Sequence, residues 1–277
     1  MSIDFRLALN TISDVVQNRP APLREFDQIY MKVGDLVIQA EFIARCFDGL
    51  DVIFVGDGDG ISLSVMHLRE KGVISYAPLR ITVLDFDERI VNSINRFASN
   101  NDLTEKIRGV LYNVCDVLPA EYCRRFDAFY TNPPWGASND GQSVTSFVRR
   151  GIEAIKPKGL GAIIIADDKN LKWTGHVLLH TQRMLVTAGF ILSEMIPALH
   201  KYHLDDAPEL ASCCMLARDV NGLPDSVTSE PLPEEALVNF YGRSNPLIVH
   251  YVLDRAGLNR GKASEESYQL VPIKTNP

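Results

Sequence analysis

From Asp51 to Val220 the chain switches repeatedly between short apolar runs and amphipathic stretches. DVIFV precedes ISLSVMHLREKG, RITVLDFD precedes ERIVNSINRFASNN, and FDAFYTNPP precedes SVTSFVRRGIEAIK. The apolar runs have the length and β-branched content of strands buried on both faces, and the stretches between them place apolar residues at helical spacing. GVLYNVCD and GAIIIADD supply two further strands, and HVLLHTQRMLVTAG a further helix. Parallel neighbours need crossover connections, so this alternation dictates a mostly parallel sheet covered by helices. The final pair, FILSEMIPAL and ASCCMLARDV, departs from it. Only HKYHLDDAPEL lies between them, too little for a covering helix and enough for a hairpin, so the last of seven strands should run antiparallel.

Residues 1–50 form an N-terminal helical segment in this reading. IDFRLALNTISDVVQ and GDLVIQAEFIARCF are its two helices, separated by the break NRPAP. Residues 51–220 form the α/β domain, and residues 221–277 a helical or irregular C-terminal extension. A net charge of −7 removes the overall basic footprint of a protein that clamps long stretches of duplex. Cys46, Cys115, Cys123, Cys213 and Cys214 follow no C-x-x-C spacing and indicate core thiols in a reducing compartment. Neither a signal-peptide pattern nor a membrane-length apolar run occurs, so a cytoplasmic protein is expected.

In a doubly wound sheet, ligands sit beyond the carboxyl ends of the strands, which makes strand-end residues the candidates. GDGDG follows the first strand. Gly56, Gly58 and Gly60 let backbone approach a ligand, while Asp57 and Asp59 disfavour a phosphate and suit an ammonium or sulfonium group. Asp85 ends the second strand at the place expected of a ribose-binding carboxylate. Beside it Phe86 is set to lie against adenine, and Asp87 to cap the next helix. Asp116, at the end of the third expected strand, is a candidate acceptor for the adenine amino group. After the fourth strand comes NPPW. Its prolines fix the backbone, so Asn132, the Pro133 carbonyl and the Trp135 ring form a rigid polar and aromatic tip where a reacting nitrogen would sit.

Seven strands with a reversed last one resemble the class I S-adenosylmethionine-dependent transferase architecture, with a plain nucleotide-binding Rossmann domain as the runner-up. NPPW fits the [DN]-P-P-[YFW] element of amino-group methyltransferases acting on adenine, cytosine or glutamine nitrogens. A longer stretch, from about Arg24 to Asp168, resembles the branched-chain polyamine synthase family, the N4-bis(aminopropyl)spermidine synthases. REFDQIYMKVGDLVIQAEFI, FVGDGDGISL, VLDFDERIVNSI and the Pro-Pro segment carry that likeness. The resemblance implies transfer of an aminopropyl group from decarboxylated S-adenosylmethionine to a polyamine. Asp57 and Asp59 would contact the donor, Asp85 the ribose, and residue 132 the attacking amine.

Two positions depart from the family pattern, Gly58 for a third acidic residue and Asn132 for aspartate, and the family's N-terminal DNA-binding-like extension is not seen ahead of the match. Asp140, or Asp205, Asp206 and Glu209 on the segment between the last strands, are candidates to restore negative charge for the amine. His200 and His203 lack the spacing of a metal pair, and no metal is expected. They read as lid or surface residues. The first alternative is an N-methyltransferase using S-adenosylmethionine on an amino nitrogen of a nucleic acid or other planar amine. A non-catalytic nucleotide-binding module is the second. No membrane partner is expected, and a homodimer stays open.

Overall fold

The computed structural model describes residues 3–204, 209–242, 246–255 and 267–273. Seven strands form one sheet: β1 (Asp51–Val55), β2 (Arg80–Asp85), β3 (Ile107–Leu111), β4 (Phe126–Thr131), β5 (Ile155–Ala166), β6 (Phe190–Lys201) and β7 (Ala211–Asp219). Their order is β3-β2-β1-β4-β5-β7-β6, with β1 to β5 parallel and β7 antiparallel to both neighbours. The architecture is the expected one. Order reverses between β1 and β4, so GDGDG and NPPW leave adjacent strands side by side.

Helices cover both faces. On one face α1 (Phe5–Asn18), α2 (Val33–Cys46), α3 (Ile61–Glu70) and α4 (Glu88–Asn100) share a core with Val52, Phe54, Val83 and Tyr130. The other face packs residues of α5 (Gln142–Ala154) and α6 (Lys172–Thr187) against Ile53, Val55, Phe129 and Ile163. Asp87 caps α4 as expected, its Oδ1 accepting from Arg89 N–H at 3.0 Å. Among the described residues no helix is long and apolar enough to cross a membrane.

Phe129 shows how tightly the sheet is fitted. Its ring occupies the space that side chains at Gly151 on α5 and Gly161 on β5 would need, and a Cβ at 161 would fall 2.4 Å from Cε1. Overpacking of this kind costs about 1–3 kcal/mol. Gly161→Ala is expected to lower the chemical-denaturation midpoint accordingly, and an unchanged midpoint would show that the ring has room to move.

Three expectations change. The third strand stops at Leu111, short of Asp116, because Asn113 turns the chain: its side-chain oxygen accepts from Cys115 N–H while its carbonyl accepts from Asp116 N–H. Among its described residues, the C-terminal stretch expected to be helical or irregular has only the four-residue α7 (Glu234–Leu237) as helix, and carries an antiparallel pair, β8 (Val249–Asp254) with β9 (Tyr268–Pro272). Tyrosine and valine suit both strands, and Val252 N–H docks the pair onto the Phe86 carbonyl. Lastly, β6 runs on to Lys201, which puts His200 opposite Ser212 and inside the protein. There the ring meets Ser212 Oγ at 3.0 Å and Gln39 Oε1 at 2.6 Å, and burial pushes its pKa down to about 4.

Candidate active site

A cavity of about 860 Å³, mouth included, opens at the carboxyl ends of β1, β2 and β4. Gly56, Asp57, Gly58, Asp59, Asp85, Phe86 and NPPW line it, whereas Gly60 lies off the lining and leads into α3. Gly56 begins the turn with φ +76°, and a Cβ there would press on Phe147 at 3.2 Å. Gly58 faces the Tyr30 ring, which a Cβ would reach at 3.4 Å, so this position is filled by an aromatic neighbour instead of its own side chain.

The three buried carboxylates are each held by protein donors. Asp57 accepts from the backbone N–H groups of Ile61 (2.9 Å) and Ser62 (3.0 Å) and from the Ser62 hydroxyl, so it faces the start of α3. Asp85 accepts from the N–H groups of Asp57 (3.1 Å) and Asp87 (3.0 Å), which ties the ends of β1 and β2 together. Asp59 accepts from Met31 N–H at 2.6 Å and from Asn132 Nδ2 at 2.7 Å. That last bond fixes the amide: a carboxylate only accepts, so Asn132 must turn its NH2 to Asp59 and its Oδ1 elsewhere.

Burial raises all three acids. Asp57 is pushed up to about 8, with the nearby Asp59 charge adding to the effect. Asp85 is pushed up to about 7 by burial and the Asp87 charge. Asp59 also rises through burial, opposed by Met31 N–H, the Arg19 charge and Asn132. Four carboxyl groups, Asp27, Asp57, Asp59 and Asp85, line the cavity, and no lysine, arginine or histidine does so among the described residues. The arrangement suits a cation and opposes a carboxylate.

Aromatic side chains complete the walls. Phe86 meets Phe26 edge to face, with centroids 5.7 Å apart, and lies near parallel to Tyr241 at 6.2 Å. Trp135 is buried edge to face on Tyr202, 4.9 Å between centroids, and its Nε1 has no hydrogen-bond partner among the described residues. Tyr202 donates or accepts with Ser212 Oγ at 2.9 Å and stands 3.4 Å from Asn132 Nδ2.

A family model described as the branched-chain polyamine synthase A C-terminal domain matches residues 8–221. The chain belongs to this family. An N(4)-bis(aminopropyl)spermidine synthase from Methanocaldococcus jannaschii is 30% identical over 155 residues, covering 55% of this chain and 41% of that protein. The one from Thermococcus kodakarensis is 28% identical over 204 residues, covering 72% and 53%. The chain spans about half the length of the curated relatives it matches. The solved branched-chain polyamine synthase of Thermus thermophilus, in complex with N4-aminopropylspermidine and 5'-methylthioadenosine, superposes with a TM-score of 0.64 at 21% identity. That match covers 84% of this chain and 70% of the other.

Within this family member, not every candidate from the sequence reaches the cavity. Asp116 lies off the lining, where its carboxylate meets His250 Nε2 at 2.6 Å and accepts from the Tyr251 hydroxyl at 3.1 Å. Cys115 joins them, with ligand atoms of the trio within 4.8 Å of one another. These hydrogen bonds fasten β8 to the loop after β3. Asp140 is also elsewhere, on a surface groove beside α6 with its carbonyl accepting from His180 Nδ1. Asp205 and Asp206 lie outside the described residues. Glu209 is exposed and paired with Lys201 Nζ at 2.9 Å. The sequence reading did not single out Asp27, Tyr30, Tyr202 or Tyr241, all of which line the cavity from segments outside the strand ends of β1, β2 and β4.

Proposed function

We propose that this chain transfers an aminopropyl group from decarboxylated S-adenosylmethionine to an amine nitrogen of a polyamine. The observation that carries the reading is the composition of the cavity, four carboxyl groups and no cationic side chain among the described residues. Such a wall favours a sulfonium bearing a bare ammonium over one that also bears a carboxylate, and it favours a polycationic acceptor. Family membership and the names of the relatives support the same chemistry.

The donor has a place on each side of the switch point. Asp85 keeps capacity to accept from ribose hydroxyls beside the glycine turn, and Phe86 with Tyr241 offers an aromatic wall for the base. The buried Trp135 Nε1 supplies an N–H with no acceptor among the described residues, which fits a polar group on a bound ligand. On the acceptor side, Asn132 Oδ1 is turned away from Asp59 and can hold an amine N–H, aligning its lone pair on the carbon to be transferred. The new C–N bond forms as C–S breaks, and sulfur leaves as the neutral thioether.

N-methyl transfer has one observation in its favour, the neutral Asn132 amide beside Trp135. The two reactions leave different thioethers. Incubation with decarboxylated S-adenosylmethionine and spermidine is expected to release 5'-methylthioadenosine, whereas S-adenosylmethionine with spermidine or oligonucleotides should give no S-adenosylhomocysteine. S-Adenosylhomocysteine alone would replace the proposal with methyl transfer. Ligand binding without either thioether would mark a non-catalytic module.

A further inference from the structure

An ammonium on the acceptor must lose a proton before its nitrogen has a lone pair, and the proton must pass to a group within reach of the Asn132 tip. Asn132 is a neutral amide and a poor base. Asp57, Asp59 and Asp85 each have both carboxylate oxygens engaged by protein donors: Ile61 and Ser62 for the first, Met31 and Asn132 for the second, Asp57 and Asp87 N–H for the third. A fourth carboxyl group lines the same cavity with a different environment.

Asp27 is half-buried and sits at the left-handed end, φ 58°, of a short 3-10 turn at Arg24–Phe26. Aspartate tolerates this backbone conformation better than most residues, and such strain is concentrated where a side chain must be aimed. It shares the cavity lining with Asn132 and Trp135, and the Trp135 backbone N–H lies close enough to its carboxylate to favour the ionised form. The Arg24 charge, on its own turn, favours the ionised form, and Tyr241 lines the same cavity from the C-terminal segment.

We propose that Asp27 is the proton acceptor of the transfer, taking the proton from the polyamine nitrogen held by Asn132. The proposal rests on the aminopropyl-transfer reading and names the base within it. The Asp27 carboxylate removes N–H⁺, the freed lone pair forms the C–N bond, and the C–S pair stays on sulfur as methylthioadenosine leaves. Burial pushes Asp27 up to about 6, well above an ordinary aspartate, which keeps it ionised at neutral pH yet more basic than a solvent-exposed carboxylate.

The test compares Asp27→Asn and Asp27→Glu with the unsubstituted protein, using decarboxylated S-adenosylmethionine and spermidine from pH 5 to 9 and following methylthioadenosine. Methylthioadenosine affinity and thermal midpoint are measured alongside. Asp27→Asn is expected to lose about 10²–10⁴ in kcat. It should bind methylthioadenosine within about threefold of the parent, because the base touches the acceptor and not the adenosyl group. Asp57, Asp85 and the acceptor ammonium bring a pH dependence of their own at about 7 and above; below it the parent should show a further limb as pH falls through about 6, the Asn variant should lack that limb alone, and Asp27→Glu should recover part of the rate. Asp27→Asn turning over within about threefold of the parent, or retaining the limb, overturns the proposal while leaving aminopropyl transfer in place. Absence of methylthioadenosine from the parent itself removes aminopropyl transfer and the base together.

Discussion

Asn132→Ala is expected to lower kcat by about 10²–10³, the loss that follows removal of one preorganised hydrogen-bonding group aimed at the reacting centre. Two effects combine. The acceptor amine loses the oxygen that orients it, and Asp59 loses the Nδ2 donor at 2.7 Å that fixes its second oxygen. A buried acceptor left without its partner costs about 1–3 kcal/mol, so the variant should also unfold at lower denaturant. Single-turnover measurement of thioether release separates the chemical loss from the stability loss. Turnover within about threefold of the parent would show that Asn132 does not hold the amine.

Asp85→Ala is expected to act on the other half of the cavity. Measured at about pH 8, above the value of about 7 to which Asp85 is raised, hydrogen bonds from ribose hydroxyls to the ionised acceptor contribute about 1.5–3 kcal/mol each, so methylthioadenosine should bind at least about tenfold more weakly per bond lost. The same truncation frees the N–H groups of Asp57 and Asp87, and some local stability goes with them. Affinity is therefore compared well below the thermal midpoint of each protein.

The sheet was legible because its strands are buried on both faces and so appear as continuous apolar runs, with helical periodicity between them. Strand ends then pointed to Gly56, Asp59, Asp85 and Asn132, which the fold brings into one cavity. Other features depend on tertiary neighbours. Asp57 carries the same residue type as Asp59 but reaches across the glycine turn to the first turn of α3, where it accepts from the N–H groups of Ile61 and Ser62, and these bonds compete with a ligand role. Asp116 was assigned from an apolar run that continues past the true end of β3, where Asn113 side-chain bonding outweighs strand propensity. Asp27, Tyr202 and Tyr241 belong to segments far apart in sequence. Only the closed fold puts them around the same space, and the sole local hint at Asp27 is an aspartate next to the aromatic of a tight turn, within EFDQ.

The central claim is that one cavity has an adenosyl half governed by Asp85 and an acceptor half governed by Asn132. Calorimetric binding of 5'-methylthioadenosine to the parent, Asp85→Ala and Asn132→Ala tests it most directly, since the ligand carries no transferable group and reports the adenosyl half alone. Binding by the parent, affinity within about threefold for Asn132→Ala and a loss of at least about tenfold for Asp85→Ala are the predicted results. No binding by the parent, or equal affinity in all three proteins, would contradict the account.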